Sequence, residues 1–248
     1  MMTTLANKVA VIMGGNSGIG EAVARRFVAE GATVVIAARS KEKLDKLAAE
    51  IGATAVICDI SRFDEVKNLA AVVLEKFGRI DIAVNSAGYE DPCPIAQHEP
   101  QRVEKLVGVQ FLGAMYFIQH MANAMQHGGS VISISSLTAS IVAVGEAVYS
   151  GSKAAINQVM RMAAVEYGAK GIRFNSVSPS LIETPMTAPM FQIPGMSDFV
   201  IKETPLGRVG TTDDVVETVL WLASDASSFV TAENINVCGG LVLRRLGG

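Results

Sequence analysis

Short, nearly continuous apolar runs recur along the 248-residue chain, and a longer stretch of helical periodicity separates each from the next. The runs are Val9-Ala10-Val11-Ile12-Met13, Thr33-Val34-Val35-Ile36, Ala55-Val56-Ile57, Ile82-Ala83-Val84, Val131-Ile132-Ser133-Ile134, Arg173-Phe174-Asn175-Ser176-Val177 and Ile235-Asn236-Val237. Strands with one wet face alternate apolar and polar residues; most of these do not, so both faces of their sheet must be covered. Helical patterns near 18–30, 41–50, 62–77, 100–125, 149–168 and 212–224 supply the covers. Gly31, Gly52, Gly78 and Gly171 follow helices, and Asp213 and Asp214 enrich a first helical turn, as helix punctuation requires. Crossovers of this length force parallel strands and right-handed connections. The expectation is an α/β fold: one domain over 1–248 built on a doubly wound parallel sheet of about seven strands. Segment 184–205, rich in Pro and Met, is too long for an ordinary connection and reads as a substrate lid.

Composition narrows the function. Half the residues are apolar, ample for a folded core. A formal charge of −3 disfavours nucleic acid and anionic membrane as partners. Mean hydropathy is positive, yet no apolar run approaches the roughly 20 residues of a spanning helix. The opening Met-Met-Thr-Thr-Leu-Ala-Asn-Lys lacks the basic start and apolar core of a secretion signal, so a cytoplasmic location is expected. Cys58, Cys93 and Cys238, like His98, His120 and His127, are scattered, and no metal site is expected.

The first strand runs directly into Gly14-Gly15-Asn16-Ser17-Gly18-Ile19-Gly20, and a helix follows at once. Glycines there permit a tight turn and let bare backbone N–H groups approach a pyrophosphate at the helix N-terminus, the arrangement of a Rossmann-like dinucleotide site. The spacing is Gly-x3-Gly-x-Gly, not the commoner Gly-x-Gly-x-x-Gly. An acidic residue at the end of strand two would accept the ribose 2′-OH of NAD. The chain instead has Arg39-Ser40-Lys41, where a guanidinium suits a 2′-phosphate, so NADP(H) is favoured and NAD(H) stays open, since Arg39 stacked on adenine would not discriminate. Strand three ends in Cys58-Asp59-Ile60; Asp59 either receives the adenine amino group or caps the next helix. Small residues in Asn85-Ser86-Ala87-Gly88 let the backbone pass close to a ligand.

Strand five closes on Ser135-Ser136, and a later helix opens with Tyr149-Ser150-Gly151-Ser152-Lys153. Tyr149 and Lys153, at i and i+4, share one helix face. An ammonium favours phenolate, which brings a phenol of ordinary pKa near 10 toward useful acid–base range. Ser136 is placed to hydrogen-bond a substrate oxygen as charge develops on it.

The glycine loop, Asn-x-Ala-Gly, Ser-Ser and Tyr-x3-Lys occur in this order, and together they resemble the short-chain dehydrogenase/reductase family from Lys8 to about Gly240. Gly171-Ile172-Arg173-Phe174-Asn175-Ser176-Val177-Ser178-Pro179 is similar to that family's strand-six motif. The resemblance implies that Tyr149 is the general acid/base, that Lys153 binds the nicotinamide ribose and tunes Tyr149, and that Ser136 polarises the substrate oxygen. It also implies that Pro179, Ile182 and Thr184 border the nicotinamide, and that the protein is a homotetramer or homodimer. There are departures: Met13-Gly14 for Thr-Gly, Ser86 for the second Asn, Ser180 for Gly and Cys238 for Asp. The family's catalytic asparagine, which anchors a water leading to the lysine, is replaced in Val109-Gln110-Phe111-Leu112-Gly113. Gln110 keeps the amide but adds a methylene, and it is expected as the fourth catalytic residue because its backbone carbonyl can still hold that water.

Met186, Met190, Phe191, Ile193 and Met196 offer the lid a soft apolar wall, and no Arg or Lys lies between Arg173 and Lys202 to clamp an anion. The expected substrate is a small, uncharged ketone or secondary alcohol exchanging hydride with NADP(H). Two alternatives stand beside it: an NAD(H)-dependent alcohol dehydrogenase of the same family, and a nucleotide-binding regulator without turnover.

Overall fold

The computed structural model describes residues 4–241. They form one seven-stranded sheet, β1 (Val9–Met13), β2 (Thr33–Ala38), β3 (Thr54–Ile57), β4 (Ile82–Asn85), β5 (Gly129–Ile134), β6 (Ile172–Pro179) and β7 (Asn234–Val237). Every pairing is parallel, in the order β3-β2-β1-β4-β5-β6-β7. The sheet is Rossmann-like and doubly wound: the direction of progression reverses between β1 and β4, where the connections diverge and leave a crevice at the carboxyl edge.

Helices α1 (Gly18–Ala29), α2 (Lys41–Ile51), α3 (Phe63–Phe77), α4 (Pro100–Val107), α5 (Ala114–Ala124), α6 (Ala147–Tyr167), α7 (Ala188–Phe191), α8 (Met196–Glu203) and α9 (Thr212–Ala223) complete the fold. Alternate residues of β1 explain the layering. Val9, Val11 and Met13 join a core with residues of α3, α5 and α6, whereas Ala10 and Ile12 join one with residues of α1, α2 and α9. The inner strands β1 and β4 are buried throughout. The edge strand β3 is not: Ile57 is largely exposed, because only one neighbour covers it. A capping box starts α9, with Thr211 accepting from the Asp214 N–H and Asp214 from the Thr211 N–H, as the acidic first turn promised.

The periodic stretch 100–125 departs from a single helix. Between α4 and α5, residues Gly108–Gly113 form a widened π turn. Gly113 lies where an added Cβ would come within 2.8 Å of the Ile60 carbonyl oxygen. Such a turn shifts side-chain phase locally without ending the helix, so apolar periodicity does not reveal it. No described helix is long and apolar enough to cross a membrane.

Candidate active site

The crevice is a cleft of about 830 Å³ along the carboxyl edge of the sheet. At its floor Gly14 has φ +77°, and a Cβ there would sit 2.6 Å from the Ala87 nitrogen, so the loops leaving β1 and β4 touch through bare backbone. Gly20, one turn into α1, would place a Cβ 2.1 Å from the Gly14 carbonyl oxygen; only glycine lets the helix start fold so tightly under the loop. Ser17 caps α1 in extended geometry without a side-chain hydrogen bond, which leaves the first-turn N–H groups available to an anion. Gly14, Asn16, Ser17, Gly18 and Ile19 line the cleft, whereas Gly20 supports it from behind. Thr184 faces this loop across the gap, 3.4 Å from where a Gly18 Cβ would be. These features fit a dinucleotide diphosphate.

Beyond β2, Arg39 and Ser40 are exposed and line the cleft, and Arg39 forms no ion pair among the described residues. Lys41 does not join them: its ammonium pairs one turn along α2 with Asp45. Asp59 and Ile60 also line the cleft. The Oδ1 of Asp59 accepts from the N–H and hydroxyl of Ser61 at 3.0 and 2.7 Å. That closes the turn ahead of α3 rather than capping the helix, whose N-cap is Arg62. Asn85 is buried behind the wall, where its Oδ1 accepts from the Ala87 N–H at 3.1 Å; Ala87 and Gly88 reach the cleft itself.

Ser136, Tyr149 and Lys153 converge. Ser136 leaves β5 in extended geometry, its Oγ accepting from the N–H and hydroxyl of Thr138 at 3.2 and 3.0 Å. Ser136 lies on the hydroxyl side of Tyr149 and favours the ionised phenol. Lys153, buried on the same face of α6, donates to the Ile134 carbonyl at 2.9 Å, with its nitrogen 5.5 Å from the Tyr149 ring centre. The electrostatics differ from the sequence expectation. Burial, then the Glu90 carboxylate, push the phenol above its ordinary value, and Glu146 adds to this, while Ser136 pulls it down. Burial drags the Lys153 ammonium down to about 8, against an opposing pull from Glu90. Desolvation therefore dominates over the expected tuning of phenol by ammonium.

Glu90 and Glu146 escaped the sequence reading. Both line the cleft. Glu146 is the N-cap residue of α6 and only 7% exposed; burial first, then Glu90 and Asp91, raise its carboxyl to about 7. Glu90 is itself raised by burial, partly offset by Lys153. Glu146, three residues before Tyr149, was one clue available: i and i+3 share a helix face. Gln110 projects from the π turn, donates through Nε2 to the Tyr89 carbonyl at 2.6 Å, and leaves its buried Oε1 unpaired.

Pro179, Ile182 and Thr184 line the side next to β6. The Thr187 hydroxyl, not anticipated, knots this segment: it donates to the Ile182 carbonyl at 2.5 Å and accepts from the Thr184 N–H at 3.0 Å. Of the five apolar residues expected to face the cleft from 184–205, Met186, Met190 and Met196 do so. Phe191 and Ile193 do not: α7 ends at Phe191, and Ile193, beyond the helix, is half exposed. Pro185 and Val200 take their place. No cluster of His, Cys, Asp and Glu fit for a metal ion occurs among the described residues.

Residues 14–242 match the family model described as enoyl-(acyl carrier protein) reductase. The chain belongs to the short-chain dehydrogenase/reductase family. It is 34% identical over 247 residues to a 3-oxoacyl-[acyl-carrier-protein] reductase of Thermotoga maritima, covering 96% of this chain and 99% of that protein. It is 35% identical over 238 residues to a meso-2,3-butanediol dehydrogenase of Serratia marcescens, covering 94% of each. Among solved structures, a short-chain type dehydrogenase/reductase from Mycobacterium ulcerans superposes with a TM-score of 0.95 at 34% identity, over 98% of this chain and 92% of that one. These short-chain dehydrogenase/reductase relatives are oxidoreductases.

Proposed function

We propose that this protein is a cytoplasmic NADP(H)-dependent oxidoreductase acting on a small, uncharged ketone or secondary alcohol. The observation that carries the reading is the convergence of Ser136, Tyr149 and Lys153 in a cleft whose opposite end is a glycine-floored helix N-terminus. A nicotinamide dinucleotide bound there supplies or accepts the hydride. The chain's own residues do the rest. The loop 14–20 and the α1 N-terminus hold the diphosphate, while Asp59, Ile60, Ala87 and Gly88 flank the adenosine. Ile182 and Thr184 border the nicotinamide, with Pro179 beside them. Tyr149 gives the proton to the substrate oxygen in reduction and removes it in oxidation, and Ser136 steadies that oxygen. Lys153 binds the nicotinamide ribose from the same helix face. Gln110 anchors the loop after β4 through the Tyr89 carbonyl.

Arg39 supports NADP(H): it is exposed, lines the cleft and has no carboxylate partner among the described residues, so a 2′-phosphate would be its counter-ion. Substrate charge is argued from the wall: Met186, Met190 and Met196 line the same cleft as Glu90 and Glu146, and segment 174–201 offers no basic side chain. The one ammonium at that end, Lys153, already has Glu90 acting on it, which favours a neutral substrate over an anion. Segment 184–205 acts as the lid. Leu112, Met162 and Val165, exposed on the π turn and α6, are the surface through which copies pair into a dimer or tetramer; sedimentation equilibrium checks this.

The deciding experiment measures both dinucleotide affinities by fluorescence and follows reduced-cofactor absorbance with a panel of ketones and alcohols. Arg39→Ala should weaken NADP(H) binding by about tenfold or more while NAD(H) changes little. Equal losses for both would mean that Arg39 does not read the 2′-phosphate and would reopen the choice of NAD(H), and turnover of ketoacids alone would refute the neutral substrate.

A further inference from the structure

Glu146 poses a problem that hydride transfer does not solve. Its side chain lies at the start of α6, one turn before Tyr149, 93% shielded from solvent and lining the cleft. Its Oε2 has no hydrogen-bond partner, and the side chain makes no capping bond to its own helix. A buried carboxylate oxygen left unpaired is costly, and folded proteins rarely keep one without use. Nothing in the hydride-transfer chemistry employs it, since Ser136 and Tyr149 already serve the reacting oxygen. Its surroundings are Glu90 and Asp91, whose charges act on it, and Asp91 is bound to Arg102. No described cation pairs with Glu146.

We propose that Glu146 is a specificity residue that accepts a hydrogen bond from a second, neutral hydroxyl of the substrate, on the carbon next to the reacting carbonyl. The physiological substrate class is then α-hydroxy ketones and the vicinal diols they interconvert with. A hydroxyl satisfies Oε2 without bringing another full charge beside Lys153. Position fits as well: Glu146 is the N-cap residue of α6, three residues before Tyr149, and its charge acts on the Tyr149 phenol, so its acceptor belongs to the reacting end of the cleft. Met186, Met190 and Met196 would then cover the hydrocarbon part of the molecule. The inference rests on the hydride-transfer reading above and assigns the substrate class of that same site.

The test uses an isosteric pair, 1-hydroxypropan-2-one and butan-2-one, which differ only by hydroxyl for methyl. With reduced cofactor, the wild type should favour the hydroxy ketone in kcat/KM by about tenfold or more. In Glu146→Leu that ratio should fall to near one; Glu146→Gln, which retains an acceptor oxygen, should keep part of it. A readout without turnover accompanies this. Titrated calorimetrically into protein saturated with reduced dinucleotide, propane-1,2-diol should bind more tightly than butan-2-ol, and the preference should vanish in Glu146→Leu. Equal turnover of the two ketones by the wild type, or a preference unchanged in Glu146→Leu, overturns the proposal and leaves hydride transfer standing. If Glu146→Leu fails to fold, the wild-type ratio and Glu146→Gln decide. Failure of the wild type to turn over either ketone, with dinucleotide bound, overturns both readings.

Discussion

The two ends of the cleft are built on different principles. At the β1 end the working groups are backbone: the Gly14–Gly20 loop presents N–H groups, and shape is enforced by places where a single carbon would collide with a neighbouring carbonyl or amide. At the β5–α6 end they are side chains, and four titratable groups, Glu90, Glu146, Tyr149 and Lys153, shift one another inside a partly dry space. The first end depends on steric room and barely on pH. The second depends on which carboxylates are ionised and how well each is solvated. A site of the first kind tolerates no added volume; one of the second kind tolerates isosteric changes but answers them electrostatically.

Substitutions at each end test that contrast. The largest effect should come from Tyr149→Phe, which removes the proposed proton donor and should lower kcat by about 10²–10⁴-fold in steady-state assays; a loss under tenfold would mean another group carries the proton. Next is Gly20→Ala, which sets a methyl against the Gly14 carbonyl. It should cost about 1–3 kcal/mol of stability and weaken dinucleotide binding together. Denaturant titration and fluorescence would register both, and a neutral outcome would show that the loop yields.

Glu90→Gln should act through charge alone. The Glu90 carboxylate raises both Tyr149 and Lys153, so its removal lets the phenol lose its proton at lower pH. The acid limb of kcat/KM for alcohol oxidation should move to lower pH; an unmoved limb would uncouple the two residues. The smallest effect concerns folding. Glu146 is raised to about 7 in the folded protein, above its ordinary 4.5. The native state therefore binds more protons than the unfolded chain between those values, and stability from this group falls as pH rises through the window. Glu146→Gln, which cannot ionise, should gain thermal stability over the wild type progressively from about pH 5 to 8 and show little difference at pH 4. A constant gain across that range would point to packing instead.

The same contrast governs what could be read from the sequence. Strands β1, β2 and β4, and α9 with its capping box, follow from apolar runs and punctuation that local chemistry dictates. The glycine loop is equally legible, because its residue type and its job are one fact. The sequence places Ser136, Tyr149 and Lys153 in one crevice, and they do converge. What it hides is environment. Glu90 and Glu146 look like ordinary solvated carboxylates until the fold buries them, and Lys41 looks like a cofactor contact until α2 offers it Asp45. The π turn is silent because the residues on either side keep helical spacing. That Phe191 and Ile193 stay out of the cleft is hidden because a composition-based reading of 184–205 carries no direction for individual side chains.

The Thr187 hydroxyl bears on how molecules enter and leave. Its bonds to the Ile182 carbonyl and the Thr184 N–H tie residues 182–187 into a compact knot continuous with the end of β6. Any swing of α7 and α8 must therefore pivot beyond that knot. Ile182 and Thr184 would stay with the sheet while Met190, Met196 and Val200 travel, so the gate for the smaller reactant would work without disturbing the seat of the larger one.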